Sequence, residues 1–137
     1  MKSLLYKHIV LDYICIIIEQ KYNMITIYHN PRCAKSREAL CAIEMSNKPF
    51  QIRYYLTESF TKSELTAVID QLGIEPIDLV RTKEPIWMEN YKTKQIAASA
   101  LIEILIEHPK LIERPIIVYN DKAIIARPIT KLNELNL

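Results

Sequence analysis

The chain has 137 residues, of which half are apolar and a quarter are charged, and this length suits one globular domain with its own core. Its 18 basic and 16 acidic residues give a net charge of +2, which offers no reason to expect a nucleic-acid partner. Gly73 is the single glycine, so a glycine-rich phosphate loop is excluded. The three cysteines are an odd number without a secretory signal, which favours a reducing cytoplasm over a disulfide-stapled secreted fold.

Residues 1–23 differ from the rest of the chain. Their longest apolar run, 13–18, lies between Asp12 and Glu19 and is too short to cross a bilayer, so no membrane partner is expected. The small-residue cleavage site of a signal peptide is missing. The segment fits a short amphipathic helix or an edge strand. We favour a third interpretation, an N-terminal extension of the reading frame, with Met24 as the natural start of a domain that spans 24–137.

The remaining residues alternate between strand and helix patterns. β-branched runs predict strands, and apolar residues at helical spacing predict helices. In chain order we predict a strand at 24–28, a helix at 33–46, a strand at 50–56, helices at 61–72, 76–80, around 87 and at 95–107, strands at 116–119 and 123–126, and a closing helix at 128–135. The first three elements form a βαβ unit with parallel strands, and the last three form a ββα unit. We therefore predict one α/β domain with a mixed four-stranded sheet and a helical insert between its halves.

Three local signals bound these elements. Thr61 and Glu64 form a capping-box pattern at the start of the helix at 61–72. Gly73 suits the left-handed position that ends the same helix. The polar residues 120–122 between the last two strands predict a hairpin.

Cys33 lies at the turn between the first strand and the first helix of this domain. A helix N-terminus offers unpaired N–H groups and a partial positive charge, which lower a thiol pKa and can hold a tetrahedral anion. From position alone, a buried structural cysteine is an equal alternative. Ser36 occupies the place where a dithiol exchanger carries its second cysteine, which disfavours that chemistry. Cys41 has apolar neighbours and is predicted to be a small core residue.

Three arginines fall at predicted element ends, and we refer to them as the three arginines: Arg81, Arg114 and Arg127. Guanidinium groups present a fixed fork of donors that suits oxyanions. A single arginine is most simply a solvated surface charge, but an Arg-Pro pair at both ends of one hairpin favours a shared purpose. The three histidines are scattered along the chain, so no metal site is predicted.

The segment 28–37 (YHNPRCAKSR) resembles the active-site turn of the glutaredoxin-coupled arsenate reductases. The resemblance continues at 79–84 (LVRTKE), 111–118 (LIERPIIV) and 126–128 (ARP), and it spans essentially residues 24–135. It implies a thioredoxin-like fold. It also implies a cis peptide bond between Arg114 and Pro115.

The resemblance further implies roles for individual residues. In that family the cysteine attacks arsenate, three arginines hold the oxyanion, and the histidine before the cysteine helps to activate the thiolate. These roles fall on Cys33, on the three arginines and on His29. Arsenate would be reduced to arsenite through a covalent Cys33 adduct. Glutathione would be the co-substrate and glutaredoxin the protein partner, with no bound cofactor or metal.

Two other functions remain open. Related proteins of this fold are transcription regulators that bind RNA polymerase and sense thiol oxidation, commonly through a C-x-x-C turn. Ser36 and the Arg127-Pro128 pair argue against that function. A glutathione-dependent thiol reductase with another substrate differs from an arsenate reductase only in the activity that an assay would measure.

Overall fold

The computed structural model describes residues 2–137. The elements have the following bounds: helices at Lys2–Tyr22 (α1), Ala34–Met45 (α2), Lys62–Leu72 (α3), Pro85–Asn90 (α4) and Ala98–Glu107 (α5), strands at Ile25–Tyr28 (β1), Phe50–Arg53 (β2), Ile116–Tyr119 (β3) and Lys122–Ile125 (β4), and 3₁₀ turns at Pro76–Leu79, Pro109–Leu111 and Ile129–Leu135. The order of strands and helices from β1 onward is the predicted one.

The four strands form one mixed sheet in the order β2-β1-β3-β4. β1 and β2 are parallel, and β3 is antiparallel to both β1 and β4. Tyr28 pairs with Arg53 on one side and with Ile116 on the other, and Ile116 pairs in turn with Ile125. The last residues of β1, β2 and β4 therefore meet the first residue of β3 at one end of the sheet, which we call the site end.

Helical layers cover both faces of the sheet. Ile27 and Ile117 pack on the face covered by α2 and the C-terminal 3₁₀ turn, where Ala39, Ile43 and Leu135 complete a buried cluster. Their neighbours along the strands, such as Tyr28 and Ile116, pack in a second cluster with α3, α5 and the connecting turns. Successive strand residues point to opposite faces, so a two-sided core follows from nearly continuous apolar strands.

The predicted helix-end signals are confirmed. Thr61 accepts a hydrogen bond from the Glu64 backbone N–H at 3.1 Å, and the Glu64 side chain accepts from the Thr61 N–H, which completes the capping box. Gly73 ends α3 with φ = 65°, the left-handed conformation that costs glycine little. Asn120 adopts φ = 55° in the turn between β3 and β4.

Two predictions at the level of single elements are wrong. β2 ends at Arg53 and not at residue 56, because the Tyr54 carbonyl accepts from the N–H groups of Thr57 and Glu58 and closes a turn. Cys41 is exposed and not part of the core. The buried side of α2 carries Ser36, Ala39 and Ile43. Cys41 is two residues from both of the last two, a rotation of about 200° that turns it to solvent.

Residues 2–22 form one helix, α1, so the edge-strand alternative is wrong. The large apolar side chains described along α1 are exposed, from Val10 at 43% to Tyr6 at 74%. Near its end, the Tyr22 hydroxyl donates to a carboxylate oxygen of Asp121 in the hairpin turn. None of the described helices is long and apolar enough to span a membrane. That α1 is an extension outside the domain stays a prediction.

Candidate active site

Cys33 is the N-cap residue of α2, at the site end of the sheet. β1 ends at Tyr28, and a short turn places the Cys33 N–H at 3.0 Å from the Asn30 carbonyl oxygen. The Cys33 backbone is extended, and its carbonyl accepts the bond from Arg37 N–H at 3.0 Å. The half-buried thiol therefore stands at the first turn of α2, where backbone N–H groups have no partner within the helix.

The surroundings of Cys33 favour its thiolate. Burial raises the pKa of the Cys33 thiol, but the backbone N–H of Ser36, the Arg114 guanidinium and the backbone N–H of Lys35 together lower this pKa below its ordinary value. This is the direction expected for a thiol at a helix N-terminus beside a cation. Cys33 therefore has the electrostatic character of a nucleophile and not that of an inert buried cysteine.

His29 is buried, and its hydrogen-bond partner in the turn is Ser36 and not Cys33. Its Nδ1 lies 2.7 Å from Ser36 Oγ, and the same oxygen accepts from the Asn30 N–H at 3.0 Å. Burial lowers the pKa of His29, so the neutral imidazole is favoured at pH 7. Its hydrogen-bond partner is Ser36, which is itself fully buried. The structure thus connects His29 to the Cys33 turn through Ser36.

Arg114 is the arginine that lies beside Cys33. It precedes β3 at the site end of the sheet, and the predicted cis peptide bond between Arg114 and Pro115 is confirmed. A second cis bond, between Arg127 and Pro128, was not anticipated from the sequence. Arg114 Nε and Nη1 are buried and have no hydrogen-bond partner in the protein. Because guanidinium donors are nearly always satisfied when buried, these two groups mark a place for an acceptor next to the thiol.

Arg81 and Arg127 meet at a second position. Both line one cavity of about 540 Å³, together with Glu84 and Lys131. Arg81 also pairs with Glu84 at 2.5 Å and donates from Nη1 to the Lys110 carbonyl at 3.0 Å, which leaves it only partly available for another anion. The structure therefore groups Cys33 with Arg114, and Arg81 with Arg127. Convergence of all three guanidinium groups on the Cys33 sulfur stays a prediction.

Tyr55 connects the two groups, and the sequence reasoning missed it. Burial raises the pKa of Tyr55 to about 12, while the charges of Arg114 and Arg81 act in the opposite direction and that of Cys33 adds to the increase. The Tyr55 hydroxyl is thus within electrostatic range of all three. Tyr55 falls inside the predicted strand at 50–56, whereas β2 ends at Arg53 and leaves Tyr55 in the turn that follows.

A groove of about 550 Å³ lies beside the turn before Cys33. His29, Asn30, Arg32, Tyr54 and Lys110 are among its lining residues. It offers room for a small molecule beside this turn, with cationic and apolar groups and the carboxylate of Glu107 in its wall. Within residues 2–137, no cluster of three or more His, Cys, Asp or Glu side chains is placed to hold a metal.

These features together can perform one kind of chemistry. A thiolate favoured by backbone N–H groups attacks an electrophile, and unpaired guanidinium donors beside it stabilise negative oxygens on that electrophile. Both parts are supplied by segments that meet at the site end of the sheet. The arrangement suits a covalent reaction of Cys33 with an oxyanion.

Comparison with known proteins gives consistent results. Residues 28–135 match the sequence model of the ArsC family. An arsenate reductase of Haemophilus influenzae is 39% identical over 108 residues, which cover 76% of this chain and 91% of that protein. An arsenate reductase of Escherichia coli K12 is 38% identical over 95 residues, covering 69% of this chain and 67% of that protein.

A solved structure shows the same fold. The arsenate reductase from Vibrio cholerae superposes with a TM-score of 0.78 at 40% identity, and the match covers 82% of this chain and 97% of that one. The predicted α/β fold with its four-stranded mixed sheet is thereby confirmed. The family match begins at Tyr28 and ends at Leu135, and it contains Cys33 and the three arginines.

Proposed function

The chain belongs to the ArsC family, and from that premise we propose that it reduces arsenate to arsenite through a covalent bond between arsenic and the Cys33 sulfur. The observation that carries the proposal is the pair of buried, unpartnered donors of Arg114 beside a thiol whose pKa is lowered. An isolated structural cysteine would not need such a neighbour. A tetrahedral oxyanion would supply the acceptor that both nitrogen atoms lack.

In the first step the Cys33 thiolate attacks arsenic, and one arsenate oxygen takes up protons and leaves as water. Arg114 offsets the negative charge on the remaining oxygens while the S–As bond forms. The backbone N–H groups of Ser36 and Lys35 hold the thiolate before the attack. His29 is neutral at pH 7 and keeps the turn in place through Ser36, so we assign it a positioning role.

The second step requires two electrons from outside the chain, because Cys33 is a free thiol and Ser36 stands where a dithiol turn would carry its second cysteine. Glutathione replaces another arsenate oxygen as water and forms a second S–As bond. The glutaredoxin thiolate then attacks the glutathione sulfur, which forms a disulfide and leaves the electron pair on arsenic. Water releases arsenite and returns the Cys33 thiol. We assign the carboxylates of glutathione to Arg32 and Lys110, which line the groove together with one carboxylate, Glu107.

The test measures arsenite formed from arsenate, glutathione and glutaredoxin. We expect Cys33→Ser to lower the rate by about a thousandfold or more, because serine is a poor nucleophile at neutral pH. Cys41→Ser is the matched control, since Cys41 is exposed on the same helix, and its rate should stay within about twofold of the parent. Omission of either glutathione or glutaredoxin should stop turnover.

Two results would contradict the proposal. Arsenite formation that survives Cys33→Ser would remove the covalent adduct from the reaction. A parent protein that reduces glutathione mixed disulfides but not arsenate would be a thiol reductase with another substrate. The same assays therefore separate these functions without further variants.

A further inference from the structure

The Tyr55 hydroxyl is a buried polar group without a partner. Tyr55 is 2% exposed, and its oxygen makes no hydrogen bond within the protein. Buried tyrosine hydroxyls usually find a partner, because loss of the water hydrogen bond costs free energy that nothing returns. An unsatisfied hydroxyl in a protein core requires an explanation, and a ligand absent from the free protein is one such explanation.

The position of Tyr55 indicates what that ligand is. Tyr55 begins the turn after β2, and β2 ends beside the end of β1, where the His29 N–H bonds the Arg53 carbonyl at 2.9 Å. Its side chain packs in the buried cluster that contains Tyr28 and Ile116, the paired residues of β1 and β3 at the site end of the sheet. The Tyr55 hydroxyl, Arg114 Nε and Arg114 Nη1 are all buried without a hydrogen-bond partner. The Arg114 charge also acts on the Tyr55 hydroxyl and lowers its pKa.

The protonation state of Tyr55 decides whether it donates. Burial raises the pKa of Tyr55 to about 12, so the hydroxyl keeps its proton at neutral pH. Arg114 is a donor only, whereas the hydroxyl can donate one hydrogen bond and accept others. The two residues leave three buried donors unsatisfied near one thiolate, and a single anion with several acceptor oxygens can satisfy all of them.

We propose that the Tyr55 hydroxyl donates a hydrogen bond to the oxyanion that binds between Cys33 and Arg114. The inference rests on the proposed arsenate reaction and adds a neutral donor to its binding site. Charge attraction from cations alone depends only weakly on the orientation of the oxyanion. A tyrosine hydroxyl adds direction, because its donor is fixed by a ring that packs on Phe60 with centroids 6.2 Å apart.

The test is Tyr55→Phe, which removes the hydroxyl and keeps the ring. The dissociation constant of arsenate, measured by its protection of Cys33 against iodoacetamide, should rise by about tenfold, which corresponds to about 1.4 kcal/mol. The KM for arsenate should rise by a similar factor with little change in kcat, because the bond is already formed with the bound anion. Without arsenate, the melting temperature should stay equal or rise, because the variant no longer buries an unpaired hydroxyl.

Tyr28→Phe is the matched control. Tyr28 is equally buried at the same end of the sheet, but its hydroxyl donates to Glu64 Oε1 at 3.1 Å. Loss of this hydroxyl should lower the melting temperature and leave the arsenate constants within about twofold. The two variants are thus expected to change stability and anion binding in opposite ways.

Each remaining outcome has a definite meaning. Unchanged arsenate binding and KM in Tyr55→Phe, a loss confined to kcat, or a lower melting temperature with unchanged binding would each overturn the role of Tyr55. In all three cases the parent and Tyr28→Phe proteins still reduce arsenate, so the proposed function stands. A parent protein that neither binds nor reduces arsenate overturns the proposed function and this inference with it.

Discussion

Ser36→Ala is the perturbation that tests how the Cys33 turn is held. Ser36 is fully buried, and its hydroxyl joins His29 Nδ1 at 2.7 Å and the Asn30 N–H at 3.0 Å. Alanine keeps the backbone and nearly the same volume, so no cavity of consequence forms. The variant instead leaves His29 Nδ1 and the Asn30 N–H without a partner. This holds whether His29 or Ser36 is the donor in the bond between them.

The magnitude follows from those two groups. Each buried polar group that loses its partner costs about 1 kcal/mol or more, so the free energy of unfolding should fall by about 2 kcal/mol. The pKa of Cys33 should nevertheless stay below its ordinary value. The contribution of Ser36 to that pKa comes from its backbone N–H, which alanine retains.

Urea unfolding at pH 7.5 measures the first quantity, and the pH dependence of Cys33 alkylation measures the second. Ser46→Ala is the control, because Ser46 ends the same helix and donates to the Ile43 carbonyl at 2.6 Å. Ser46 is only half-buried, so water replaces much of the lost bond and the expected cost is below about 1 kcal/mol. If Ser36→Ala costs no more than Ser46→Ala, the Ser36 hydroxyl does not hold the turn and the reasoning is refuted.

Four other predictions follow from the site and the sequence. Near pH 7, iodoacetamide should react faster with Cys33 than with Cys41, and mass spectrometry after short exposure would show this; equal rates would contradict an activated thiolate. Burial lowers the pKa of His29 in the folded state, so the unfolded state binds more protons as the pH falls through about 6.5. The free energy of unfolding should therefore decrease from pH 7.5 to pH 5.5. Urea titrations should show a smaller decrease for His29→Gln. Replacement of any of the three arginines by lysine should weaken the protection of Cys33 against iodoacetamide by arsenate, because an ammonium group lacks the planar fork of donors. Unchanged protection in one of these variants would remove that arginine from the site. A chain that starts at Met24 should unfold in urea with nearly the parent free energy, since the large apolar side chains described on α1 are exposed, and a loss of several kcal/mol would show that α1 belongs to the domain.

Local features of the fold could be predicted from the sequence because they depend on neighbouring residues. The capping box at Thr61, the left-handed Gly73 and the strand patterns each act within a few positions of the chain. The place of Cys33 at the start of a helix follows from the same local signals. The resemblance added the role of a nucleophile and one cis peptide bond, and the latter is confirmed.

The tertiary structure decided what those local signals leave open. Cys41 has apolar sequence neighbours, yet the packed side of α2 is set by what covers it, and Cys41 faces solvent. The Tyr55 hydroxyl and the Arg114 donors are ordinary side chains in sequence. They become noteworthy because β2 and β3 both lie beside β1, which brings these residues, far apart in the chain, to the site end of the sheet. There their buried polar groups have no partner in the protein. Burial and hydrogen-bond satisfaction are properties of the assembled chain, so no reading of local sequence contains them.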